Sequence, residues 1–214
     1  MKRYLNVLIL SFVTLFLADA PPALAALIFN NTTFPVGTTT FTALQIGDEV
    51  QVSGSALNVT DLEIGVSEQG IAGTADLQAF LYANDGAGGA PGTLLWQSAV
   101  MINVALTGGN DLVAFAVPSI AVPNTFTWAI QISNSQPLAA GLPSFDPPSV
   151  GSILHGWFGG PGGWGNLDSS GTDAHFMARI SVPEPPTLLN VGVALFLWLG
   201  WAGIRGRRRL SAAR

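Results

Sequence analysis

"TFTWAIQIS", residues Thr125–Ser133, decides what kind of protein this is. Phe126, Trp128, Ile130 and Ile132 recur at every second position, while Thr125, Thr127, Gln131 and Ser133 fall between them. Successive side chains of a strand point to opposite faces, so this spacing predicts a β-strand with one apolar face. A helix would place its apolar residues three and four apart instead.

The same period continues to either side. "DLEIGV" sets Leu62, Ile64 and Val66 against Asp61 and Glu63. "DLQAFLY" separates Leu77, Ala79 and Leu81 from Gln78, Phe80 and Tyr82. "HFMARISV" groups Phe176, Ala178, Ile180 and Val182, and "TTTFTALQI", "TLLWQSAVMI", "LVAFAV" and "ILHGWF" are further strand candidates. Between them lie turn-forming clusters such as "NDGAGGAPG" and "GGPGGWG". No stretch between the first 25 residues and Thr187 has a helical pattern, and no internal repeat is visible. Many short strands in one cysteine-free domain predict an all-β fold, a two-sheet antiparallel sandwich of jelly-roll or immunoglobulin-like kind over residues 26–181.

The ends read differently. Lys2 and Arg3 precede an apolar run from Leu5 to Leu17, and "ADAPPALA" follows. Ala23 and Ala25 satisfy a small-x-small rule, so residues 1–25 read as a secretory signal peptide cut between Ala25 and Ala26. At the other end, Thr187–Ile204 is 18 residues without a charge. As a helix it would cover roughly 27 Å, close to a bilayer core. Arg205, Arg207, Arg208 and Arg209 follow it and mark the cytoplasmic side. Pro183, Pro185 and Pro186 cannot continue a helix, so "VPEPP" is a stiff extended collar before the span. The chain is therefore expected to loop out through the membrane, with its middle outside the cytoplasm.

The tail resembles the PEP-CTERM sorting signal of exported proteins of Gram-negative bacteria, many of which make exopolysaccharide. Val182, Pro183, Glu184 and Pro185 match its motif, Thr187–Ile204 its span and Arg205–Arg209 its basic stop. The resemblance covers roughly residues 182–209 of a terminal sorting segment 182–214, and departs only by the extra Pro186 and the glycines at 203 and 206. It implies recognition and cutting by a membrane enzyme, an exosortase, after signal peptidase has acted. It also implies a transient membrane anchor and a destination at the cell surface or in the extracellular matrix. "LYANDGAGGAPGTLLWQS" with "TFTWAIQIS" resembles the choice-of-anchor β-sandwich domains that often precede such tails.

Charge narrows the function further. Lys2, Arg3 and five tail arginines lie outside the domain, which keeps Arg179 against eleven acids, a net charge of minus ten. One arginine cannot neutralise a row of phosphates, so no nucleic acid is expected as a partner. The absence of cysteine excludes disulfides and thiol chemistry. Asp61 and Glu63 share a strand face in the manner of paired catalytic acids, but alternating acids are the ordinary solvated face of a strand. No Gly-x-Ser-x-Gly elbow occurs, and no enzyme is expected. His155, His175 and Asp173 would make a metal site only if their strands were neighbours. No cofactor is expected; calcium is the one ion the loops could take, through Asn84, Asp85, Asp168 and Asp173. Asn-Asp-Gly is equally ordinary turn chemistry.

These features give an exported structural or interaction protein. The alternative is a carbohydrate-binding module of the exopolysaccharide matrix, with Trp157 and Trp164 as ring-stacking contacts. Trp164 lies in a glycine-rich loop with few apolar neighbours, and either offers its ring to solvent or folds back to plug the open end of the sandwich.

Overall fold

The computed structural model describes residues 25–40, 44–52, 57–68, 70–160, 162–168 and 175–183. Ala25–Pro183 forms one compact unit. The proposed span at 187–204 and most of the signal peptide lie outside the described residues. Among the described residues no helix is long and apolar enough to cross a membrane, and Ala87–Gly89 forms a short 3-10 turn.

Among the described residues thirteen strands form two antiparallel sheets packed as a sandwich. They are β1 (Ala25–Asn30), β2 (Pro35–Thr40), β3 (Gln45–Gln51), β4 (Leu57–Ser67), β5 (Gly73–Ala83), β6 (Leu94–Gln97), β7 (Met101–Leu106), β8 (Asn110–Val122), β9 (Thr125–Gln136), β10 (Gly141–Phe145), β11 (Ser152–Gly160), β12 (Gly163–Asn166) and β13 (Ala178–Pro183). One sheet, sheet A, runs β1-β13-β4-β10-β2, with β8 also on β4; the other, sheet B, runs β12-β11-β3-β9-β5-β6, with β7 also on β5.

Alternation explains the core. Phe126, Trp128, Ile130 and Ile132 of β9 join Ile46 and Val50 of β3 and Leu77, Ala79 and Leu81 of β5 on the inner face of sheet B. Leu62, Ile64 and Val66 of β4, Phe115 of β8 and Ile180 of β13 meet them from sheet A. Burying one such side chain contributes about 1.5–3 kcal/mol, so this shared layer is what holds the two sheets together. Gly47 has a local reason to be glycine: a Cβ there would collide with the β9 backbone at Trp128 and Ala129.

Three strands have no counterpart in the sequence patterning. β1, β10 and β12 are short, and β10 carries Pro143. "TLLWQSAVMI" divides between β6 and β7, which pair with different halves of β5. Farther along β5, Asp76 ties β7 and β9 to the strand. Its Oδ1 accepts from the Asn103 amide at 2.8 Å and its Oδ2 from Asn134 Nδ2 at 2.6 Å. Both asparagines sit at positive φ, at 53° and 50°, a region Asn enters more readily than most residues. The β5–β7 ladder slips between Ala75 and Leu77, and the β5–β9 ladder between Thr74 and Asp76. These two hydrogen bonds, Asn134 first, hold the Asp76 carboxyl below the usual range.

Candidate functional site

Two places gather the residues of interest. The first is the corner where the compact unit begins and ends. β1 and β13 run antiparallel, with Ala25 opposite Pro183 and Ala26 opposite Val182. Val182 is buried and Pro183 exposed. The collar thus starts inside the fold, because its first two residues complete a strand whose partner is the stretch around the expected signal-peptide cut. Ala23, Glu184, Pro185 and the arginines at 205, 207, 208 and 209 lie outside the described residues.

The second place is the outer face of sheet B. One row of cross-strand neighbours there is His155, Glu49, Thr127 and Tyr82. Glu49, Thr127 and Tyr82 are buried although they point away from the inner core. Each has a partner. Trp157 Nε1 donates to Glu49 Oε2 at 3.1 Å, the Tyr82 hydroxyl to Gln45 Oε1 at 2.8 Å, and the Thr127 hydroxyl to Asn84 Oδ1 at 2.8 Å. Burial pushes the Tyr82 phenol up from its ordinary range, and the Gln45 hydrogen bond opposes it.

Trp164 covers part of this face. Its ring meets that of Tyr82 edge-on, with centroids 5.3 Å apart. On a flat sheet the four strand steps from β12 to β5 would span roughly 19 Å, too far for one side chain. The β11–β12 hairpin therefore curls back over the sheet. Gly159 and Gly163, with φ of 135° and 151°, supply backbone conformations that other residues rarely adopt. Trp164 is half-buried against Phe80, Tyr82 and Ala129. Trp157 is buried with its indole nitrogen committed to Glu49, which corrects its reading as a sugar contact: no ring face is free for stacking.

The other candidate residues do not converge. Asp85 accepts from the Thr93 hydroxyl and the Thr93 amide, both at 2.6 Å. Those two bonds, in that order, hold its carboxyl below the usual range. Asp168 Oδ2 pairs with His155 Nδ1 at 2.7 Å, and its Oδ1 accepts from the Gly156 amide at 3.2 Å. His175 Nδ1 lies 3.0 Å from Asp146 Oδ1. Each histidine thus has its own aspartate; Asp173, the third residue of the conceivable metal site, lies outside the described residues. Among the described residues no cluster of three or more metal-ligating side chains occurs. Glu63 is bound by Arg179 at 2.7 Å and is not paired with Asp61.

Sequence patterning missed Glu49, Gln45, Asp48 and Asn31, which are all buried. No family model matches the chain, and neither a curated protein nor a solved structure is significantly similar to it.

Proposed function

We propose that this chain is an exported, non-catalytic surface or matrix module, processed at both ends and sorted by its C-terminal tail. Signal peptidase removes residues 1–25. The segment 187–204 anchors the chain in the inner membrane until an exosortase-type enzyme acts at the Pro-Glu-Pro collar. The observation that carries the reading is the register of β1 on β13, with Ala26 opposite Val182. The expected mature N-terminus, Ala26, and the first residue of the collar, Val182, thus lie side by side on one strand pair. The sandwich itself is best described as jelly-roll-like, since β3, β4, β5, β8, β9, β10, β11 and β13 alternate between the sheets in chain order.

The test is fractionation of cells expressing the wild type beside a Glu184→Ala, Pro185→Ala double variant. The variant is expected to keep its tail and stay with the inner membrane, while the wild type loses the tail and moves on. Identical mass and location for both would remove the sorting reading.

A further inference from the structure

Asp48 is fully buried on β3 and sits between Gly156 of β11 and Trp128 of β9. Its position alternates with Ile46 and Val50, so it belongs to the inner face, where its neighbours are apolar. Its Oδ2 accepts the Phe176 amide at 2.7 Å. Its Oδ1 is buried without a hydrogen-bond partner. An ionised carboxylate in such a place needs a cation or several donors, and Asp48 has one donor.

No positive charge is at hand. Arg179, the sole arginine or lysine of the domain, is committed to Glu63. β9 and β1 carry no ionisable side chain. On β11, His155 turns to Asp168, and beside Phe176, His175 turns to Asp146. Glu49, the next residue on β3, points to the opposite face. Burial pushes the Asp48 carboxyl well above the ordinary range; the Phe176 amide opposes this and the Asp168 charge adds to it.

The junction that Asp48 holds reaches across the sandwich. Asn31, fully buried just after β1, donates from Nδ2 to the carbonyls of Phe145 at 2.7 Å and Phe176 at 3.1 Å. Asp48 and Asn31 therefore grip the same residue, one at its amide and one at its carbonyl. Asn31 Oδ1 is a second buried acceptor without a partner. Two such oxygens are too few for a hard cation, which takes six to eight. The Trp128 indole N–H, also buried and unpartnered, is a donor and would repel one.

We propose that Asp48 is a proton-holding latch: uncharged in the folded domain, it ties the Phe176 segment to the centre of sheet B, and loss of its proton at alkaline pH loosens that segment and the β13–β1 pair that follows it. A neutral carboxyl keeps one oxygen to accept the Phe176 amide and gains a hydroxyl that can donate. The direction of the pH effect follows. The folded state binds the proton more tightly than the unfolded chain. The stability that Asp48 contributes is therefore fully present below the unfolded carboxyl range and falls as pH rises toward the folded-state value, by at most tenfold in the unfolding constant per pH unit.

The experiment compares the purified full-length chain with Asp48→Asn in thermal melts from pH 5 to pH 9, followed by near-ultraviolet circular dichroism. Asn keeps the acceptor for Phe176 and carries no charge. The wild type is expected to melt lower as pH rises, and the variant to lose that slope and melt above the wild type at pH 8 to 9. Parallel slopes, or a variant that melts lower at every pH, would overturn the latch. So would calcium raising the wild-type midpoint at pH 8 but not the variant's, since that assigns Asp48 to a cation. Should the variant not fold, infrared spectroscopy of the otherwise wild-type chain carrying Glu68→Gln decides, because Glu68 is the other fully buried acid with unpartnered oxygens. A buried protonated-carboxyl band at neutral pH that disappears with alkali supports the latch, and its absence at neutral pH refutes it.

Discussion

The two faces of sheet B are both buried, but by different means. On the inner face Ile46, Leu77, Leu81, Phe126, Trp128 and Ile130 interlock with sheet A, and stability comes from apolar area. On the outer face Gln45, Glu49, Thr127, Tyr82 and Trp157 are just as hidden, and stability there depends on pairing each polar atom beneath a curled hairpin. Polar residues can be buried when every donor meets an acceptor. Asp48 crosses between the two regimes, an acid on the apolar face with half of its pairing missing.

The largest effect expected is on the inner side. Trp128→Ala removes the largest fully buried side chain and should cost about 3–5 kcal/mol in a denaturant melt. A loss no larger than that of an outer-face variant would mean that the inner layer is not the main support. Trp157→Phe comes next. It keeps most of the ring and takes the donor from Glu49 Oε2, so a loss of about 1–3 kcal/mol is expected in the same melt. An unchanged melt would show that the outer face is held by area as well, and the contrast would dissolve.

Much of this architecture could be read in the chain. The apolar half of each alternation, in "TFTWAIQIS", "DLEIGV" and "DLQAFLY", falls on the core side as its period requires. The polar half was misleading, because alternation implies a solvated face. Thr127 and Glu49 are buried, and nothing in their local sequence records that a hairpin far along the chain folds over their face of the sheet. That hairpin's glycines were visible as a loop signal, but their dihedrals, which turn the loop back onto Tyr82, belong to the tertiary structure. β3 shows the same limit. Every residue of "QIGDEV" is buried, so a strand covered on both faces carried an acidic pair that reads as surface. Asp48 escaped notice for that reason. The Asp76 knot was equally hidden, since it joins residues 27 and 58 positions apart.

The most direct test of the function is the intact mass of the protein recovered from its own cells, with both termini sequenced. The account predicts an N-terminus at Ala26 and a C-terminus beyond Pro183, because Val182 and Pro183 complete the β13 strand that pairs with β1. A chain that still runs from Met1 to Arg214, or one whose C-terminus falls inside β13, would contradict it.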